Sequence, residues 1–484
     1  MRFIIKKSKS QQGAVLVMTM IFVTVFVVIA AGILSLVTYQ QRLERLKKAQ
    51  AAALHIAEAG ANYYRWHLAH DPTDYYDGNT PTACDPTCGP YVHTYSDPNN
   101  DIVGEFILEI TPPTSGSTIV TIKSTGHIPE VPGSARSIAV RYGAQSWAKF
   151  AVAVNNDVRF GEGTVINGPV HSNGGVRFDG VANNVVTSAK ADYNDPDHSG
   201  GNEFGVHTHV DPTDPLPPAS VPVRADVFAG GREFPVAPVD FNGITLDLAV
   251  LEDVAGLVIS KSNQQGWHVQ FLGNGQIQYR KVKTTTSCYS SSQFGWEGTG
   301  LITSYVGNWT TASIPSNGVI FVKDNVWVDG TINAQSVTLV AAEDPLASGD
   351  ANIWINNDLT YTNYDGSDII GLIAQNDISV GLYSEDDLRI DGALIAQKGK
   401  IGRKYYASSC SSSDYIRDTI TTFGSLVSYE RYGFAWDCGY HCSGYINRNL
   451  QFDNNLIYNP PPSFPTTGDF EFISWEEVLP GESY

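Results

Sequence analysis

Hydrophobic and polar positions are distributed unevenly along this chain, and the first feature is a run from Ala14 to Val37 that contains no charge and is dense in Val, Ile, Leu and Phe. At about 1.5 Å per residue a helix over this run exceeds the ~30 Å hydrocarbon thickness of a bilayer. The pattern then turns amphipathic. Tyr39 to Leu68 keeps helix-forming residues, lacks proline and is interrupted only by Gly60. Leu43, Leu46, Ala49/Ala53, Ile56/Ala57 and Tyr64 recur every three to four residues and form one stripe. The spacing predicts one continuous helix over 14–70, half in lipid and half in water.

Beyond it the period shortens to that of strands. Residues 71–101 are rich in Asp, Pro, Thr, Asn and Tyr and read as a linker or loop. Three alternating runs come next, Glu105–Ile110, Thr118–Ile122 and Ala135–Arg141, which predict a small antiparallel sheet closing a unit near residue 146. After Trp147 short apolar pieces recur with Gly, Asn-Asp or Asp-Gly corners: Ala151–Asp157, Val165–Val170, Val176–Gly180, then Gly318–Asp324, Val326–Gly330, Val337–Ala341, Asn352–Asp358, Ile369–Ala374, Asp377–Val380 and Leu388–Ala396. Unequal repeats of this kind predict a parallel β-solenoid over 147–458, with asparagines able to stack at the corners and residues 192–315 as an insertion; a β-sandwich with irregular loops is the alternative. Within the insertion, Ile244, Leu248, Leu251 and Val254 mark one helical face over 242–255, suited to covering an exposed sheet edge or end. The segment 459–484, with Phe464, Phe470, Phe472 and Trp475, reads as an extended tail docking aromatic rings onto the body. The fold class expected is mainly β with one long N-terminal α-helix.

Charge gives the helix a direction. Arg2, Lys6, Lys7 and Lys9 precede the apolar run and no acidic residue accompanies them, which keeps that end in the cytoplasm and exports the chain beyond the helix. A cleaved secretory signal is the alternative, but its apolar core is only about 7–15 residues. The net charge of −19 argues against nucleic acid as a partner, because phosphate binding needs a cationic face. The six cysteines, Cys84, Cys88, Cys288, Cys410, Cys438 and Cys442, are an even count on an exported chain and read as disulfides. Cys84–Cys88 and Cys438–Cys442 are the local choices, leaving Cys288–Cys410, with other pairings open. A four-thiolate zinc site is the competing reading and lacks the usual two-residue spacing.

The order of basic leader, Gln11-Gln12-Gly13, Ala14, apolar helix and Ala53-Leu-His-Ile-Ala57-Glu58-Ala59-Gly60 resembles the PilX N-terminal family of type IV pilus assembly proteins, which are similar to pilins and pseudopilins. The resemblance covers about 60 residues, and the A-x-x-x-A-E-A-G stretch is its more specific part. It implies cleavage of residues 1–13 after Gly13 by prepilin peptidase, a new N-terminus at Ala14 open to methylation, a pilin-like unit in which the amphipathic half of the helix packs on the apolar face of the small sheet completed within 71–146, and a single-pass envelope protein. Implied partners are other pilin or minor pilin subunits, the inner-membrane assembly machinery, and lipid along residues 14–37. Major pilins carry Glu at the fifth mature position; here that residue is Met18, so the carboxylate that would pair with a neighbouring subunit's terminal amine is missing. That suits an initiating or tip subunit, or an assembly factor that stays anchored; an unprocessed single-pass anchor is the plainer alternative. Glu58 is characteristic of the resemblance, and a glutamate on the wet half of a helix otherwise reads as a solvated charge.

Catalytic signatures are sparse. No G-x-S-x-G, P-loop or H-E-x-x-H occurs, so neither an enzyme nor a cofactor is expected, although β-solenoids do host carbohydrate-active enzymes. An anchored carbohydrate-binding or carbohydrate-active protein is therefore the alternative function. Among His198, Glu203, His207, His209 and Asp211, the last three would point the same way on an extended segment and are the candidates for a metal, though the Gly-, Asp- and Pro-rich surroundings read as an exposed loop and no metal is expected. Asp192, Asn194, Asp195 and Asp197 offer oxygen donors without EF-hand spacing. The neighbours Asp386-Asp387 and Glu476-Glu477 read as solvated charge. Tyr405, Tyr406, Trp436 and Tyr440 could meet a surface or glycan ligand, with core or turn packing as their simpler use.

Overall fold

The computed structural model describes residues 12–81, 84–113, 117–241, 248–438 and 441–479. Most of the expected leader, Ile244 of the expected short helix, and Tyr440 lie outside the described residues. The chain divides into two compact units, one built from the N-terminal helix with most of a small sheet and a second from residues 113–119 and 143–471.

In the first unit a single helix runs Gln12–His70, 59 residues. Its first half presents apolar side chains outward: Val15, Phe22, Phe26 and Leu34 are all more than half exposed. This is the one described helix long and apolar enough to cross a membrane. Each large apolar side chain left in water forgoes about 1.5–3 kcal/mol of burial, which is why such a surface calls for lipid or a partner. From Ala49 the same helix buries Ala53, Ile56, Ala57, Ala61, Tyr64 and Leu68, the amphipathic stripe.

That stripe belongs with a five-stranded sheet in the order Cys88–Ser96, Ile102–Thr111, Ile119–His127, Arg136–Ser146, Thr466–Val478. The first three strands run antiparallel, with Phe106 opposite His93 and Gly126, and Ile110 opposite Ile122. Two elements differ from the sequence reading. Part of the expected 71–101 loop is the edge strand Cys88–Ser96; most of its side chains are exposed, so main-chain hydrogen bonds rather than an apolar face hold it. Residues 466–478 of the C-terminal segment form the fifth strand, and of the four rings expected to dock, Phe464, ahead of that strand, is the buried one. Phe472 is 55% exposed, with an edge-on contact to Tyr142, and Glu477 and Glu476 pair with Arg136 and Arg141.

The helix approaches the sheet through small residues. A Cβ on Gly126 would lie 2.6 Å from the Ala57 amide nitrogen and closer still to the Ala53 carbonyl oxygen. A Cβ on Gly60 would meet the Phe106 ring at 2.8 Å. The A-x-x-x-A-E-A-G stretch thus places Ala53, Ala57 and Gly60 where bulk would hold helix and sheet apart.

The second unit is built from parallel ladders of short strands. Along one of them Leu257, Ile320, Leu339, Leu372, Leu394, Leu426, Val152, Val170 and Val186 stand in successive register, and from Ile320 to Val186 all are buried to 1% exposure or less. The column is not in chain order. Val152–Val154 pairs with Leu426–Ser428, so the first strands of the unit extend the stack formed by its last. A second ladder joins Gly266–Leu272, Val326–Ile332, Ile353–Ile355, Ile378–Val380 and Ile401–Arg403. A third runs through Asp387–Ala396, Ile416–Ser428, His441–Phe452, Thr164–Asn167 and Val181–Ala182. Asparagines stack between layers at the corners: Asn352 Nδ2 donates to Asn325 Oδ1 at 3.2 Å, Asn376 to Asn352 at 3.0 Å and Asn173 to Asn155 at 2.7 Å.

The outward side of the first ladder, with Phe321, Val340, Ile373, Ile395 and Val427, is covered by Trp147, Phe241, Leu248, Leu251, Leu456 and Phe464. Leu248 and Leu251 sit on the helix Leu248–Val254, the described part of the helix expected over 242–255. Residues 192–315 are not a clean insertion. Leu257–Ile259 and Gly266–Leu272 belong to the ladders, and what is added to them is a long antiparallel hairpin, Gln276–Ser291 with Gly295–Ser313, held against the ladder strands where the Gly300 carbonyl accepts from Trp327 Nε1 at 2.7 Å and Asn356 Nδ2 at 2.8 Å.

Candidate functional sites: the anchoring helix and a histidine–carboxylate cluster

Gly13 and Ala14 lie in the first turn of the long helix, which begins at Gln12. Met18, one turn further, is 60% exposed. Glu58 is half-buried and its Oε2 stands 3.1 Å from His55 Nδ1, an i,i+3 pair on the wet half of the helix. The six cysteines form Cys84–Cys88, Cys288–Cys410 and Cys438–Cys442. Cys288 lies in the long hairpin, so its bridge ties that hairpin to the segment after Ile401–Arg403.

The metal candidates are arranged differently from the expectation. Val206–His207 is a strand of only two residues, parallel to Val176–Phe178. The chain then turns, with the Asp214 amide donating to the Thr208 carbonyl at 3.1 Å, so the alternation needed to align residues 207, 209 and 211 ends. Asp211 is exposed and takes no part in the cluster.

His207 and His209 instead meet residues from upstream. Asp192–Tyr193 pairs antiparallel with Glu203–Phe204, Tyr193 opposite Glu203, which folds 194–202 back over the strand Val176–Phe178. The Asp197 amide donates to Asp195 Oδ1 at 2.9 Å and the His198 amide to the Asp195 carbonyl at 3.1 Å, a tight turn after which the exposed His198 ring stands beside Glu203. The His209 amide donates to Asp179 Oδ1 at 2.9 Å. Two overlapping groups result, Asp195–His207–His209 and His198–Glu203–His209, and within each the candidate donor atoms lie within 4.8 Å of one another.

The two groups differ in their electrostatics. Asp195 Oδ2 stands 3.4 Å from Arg177 Nη1 and 3.7 Å from His207 Nε2, the latter too long for a hydrogen bond. Burial works to raise the Asp195 carboxyl, but His207, the Asp197 amide and Arg177 outweigh it and hold the group well below the usual carboxylate range. Its charge is already matched. Glu203 is different: its side chain is 2% exposed, Oε1 stands 3.3 Å from His198 Nδ1 and 3.4 Å from His209 Nε2, and Oε2 is buried without a hydrogen-bond partner. Burial first, then the neighbouring Arg177 and His207, push the His209 imidazole below its ordinary range.

The other oxygen donors of this stretch diverge. Asp192 accepts from Asn202 Nδ2 at 2.6 Å and Asp197 pairs with Arg431, so no calcium loop forms from them. Tyr406 is fully buried and its hydroxyl donates to the Gly298 carbonyl at 2.7 Å. Tyr405 and Trp436 pack on Phe294 at 5.0 and 5.1 Å between ring centres. All three rings thus pack against the hairpin. Asp195 and Arg177, which sequence reading did not single out for this cluster, carry no local signal: each is an ordinary charged residue in a loop or strand until the ladder register sets it beside His207.

No protein-family model matches the chain, and no curated protein matches it. Among solved structures, the crystal structure of the competence-associated pilin ComZ from Thermus thermophilus is similar at 12% identity over 89% of this chain and 98% of that one, with a TM-score of 0.30. A likeness of that size carries no argument about this chain.

Proposed function

We propose that this chain is a minor pilin or pilus-assembly, pseudopilin-like subunit of the PilX type. It is anchored in the inner membrane by its N-terminal helix, with the N-terminus cytoplasmic and the rest outside, and it presents a β-solenoid head for filament initiation, tip display or adhesion. It acts by binding rather than catalysis, its ligand being a surface or a glycan. The observation that carries this reading is the two-part helix. Its first half is apolar and exposed, and its second half is seated on a sheet through the small residues Ala53, Ala57 and Gly60, which is the layout the sequence resemblance implies for a subunit that leaves lipid by packing against like helices. The parallel ladders, the aliphatic column and the stacked asparagines support the solenoid reading of the head.

The test is fractionation of cells that make the untagged chain. Surface filaments are sheared off and probed with antibody to the head, alongside spheroplasts exposed to external protease. The expected result is a small amount in the filament fraction and cleavage of the head from outside. A head shielded from external protease and found with the cytosol overturns the reading.

A further inference from the structure

We propose that His198, Glu203 and His209 form a binding site for one divalent transition-metal ion of the zinc class. Four-coordinate zinc with nitrogen and oxygen ligands at bonds of about 2.0–2.1 Å places its donor atoms roughly 3.3–3.4 Å apart. The Glu203 carboxylate oxygen stands 3.3 Å from His198 Nδ1 and 3.4 Å from His209 Nε2, so the two edges measured through it match that spacing. The second Glu203 oxygen is buried without a hydrogen-bond partner, and burying a carboxylate oxygen unmatched is costly. A cation in the cluster supplies the missing charge.

Backbone and surroundings fit the same reading. A Cβ on Gly200 would come 2.7 Å from His198 Cε1 and 3.0 Å from Nδ1, so glycine there lets the ring fold over the cluster. The His198 side chain is 38% exposed while those of His209 and Glu203 are 14% and 2% exposed. The ion therefore has two inner ligands, one at the rim, and a solvent-facing position for water. The neighbouring group around Asp195 is the poorer candidate, because Arg177 already compensates its carboxylate. A bound ion would clamp the loop 194–202 to the strand Glu203–Phe204 and to the turn that carries His209.

The test uses the untagged full-length chain in detergent micelles, stripped with chelator and titrated with Zn2+ by calorimetry and with Co2+ by visible absorption. One saturable equivalent is expected, with the absorption of low-coordinate cobalt. Glu203→Gln, His209→Asn and His198→Asn should each weaken uptake about tenfold or more, and His55→Ala, on the exposed face of the long helix, should change it by less than about twofold. His198 lies at the surface, so its variant keeps the test decisive if the two buried ones misfold. Absence of saturable uptake by the native chain overturns the site, as does uptake that His198→Asn leaves unchanged.

Discussion

Gly126→Ala is the smallest change that should separate the long helix from its sheet. The new methyl group would sit 2.6 Å from the Ala57 nitrogen and nearer still to the Ala53 carbonyl oxygen, whereas non-bonded heavy atoms rest about 3.5 Å apart. Both obstacles are helix backbone, so no rotamer change relieves them, and the helix must move away by roughly 1 Å. That loosens the contact of Ala53, Ile56, Ala57 and Ala61 with the sheet. Overpacking in a rigid site costs about 1–3 kcal/mol, and backbone on both sides argues for the upper end. Gly60→Ala is the comparison. Its methyl group meets Ser124 Oγ and the Phe106 ring, side chains rather than backbone, and it gains about 0.8–1 kcal/mol of helix propensity. Denaturant unfolding of the full chain in micelles, with hydrogen exchange at residues 49–68, should show Gly126→Ala clearly destabilised and Gly60→Ala less so. A Gly126→Ala protein within about 0.5 kcal/mol of the parent, or a Gly60→Ala protein that loses more, would refute the close-packed seam.

Three further outcomes concern the second unit. Asp214, buried between Arg224 and Arg232, should cost about 3–5 kcal/mol when changed to Ala, because two guanidinium groups lose their shared counter-charge; thermal unfolding checks it. Cys288→Ser with Cys410→Ser opens a loop of 122 residues and should cost about 3–5 kcal/mol on chain-entropy grounds, against about 2 kcal/mol for opening the four-residue separation of Cys84–Cys88; comparing the unfolding midpoints of the two double variants measures the difference. Asp329 accepts from His268 Nε2 at 2.7 Å. Burial raises its carboxyl, but the bonds from His268, Asn357 and Gln270 prevail and lower it. The unfolded chain therefore takes up that proton first as pH falls, so the stability it contributes is full above about pH 4 and lost progressively below. Asp329→Asn should flatten the acid limb of a stability–pH curve, and an unchanged limb would count against the pairing.

The legible parts of this fold are those set by local pattern. The apolar run and the Ala53–Gly60 stripe announce the long helix, because one continuous period of 3.6 needs no partner to be recognised. Strands such as Ile369–Ala374 fall where a short apolar run between polar Gly- and Asn-containing corners puts them. Register across the chain is different: nothing near Val152 indicates that it stacks on Leu426, since any aliphatic strand would fill that rung. The hairpin Gln276–Ser313 escaped because its strands bury only isolated residues such as Ile277 and Val282. The histidine–carboxylate cluster was half visible. His198, Glu203, His207 and His209 stand out by residue type, while the alternation that would add Asp211 ends at the turn after Thr208, and Asp195 carries no mark beyond that of an acidic loop residue.

The central claim is that residues 14 onward are a processed, membrane-threaded subunit with its head outside. Intact-mass analysis of the protein extracted from its native membranes tests this most directly. The account predicts a chain beginning at Ala14, methylated, with all three disulfides formed; a chain still beginning at Met1 with free thiols contradicts it.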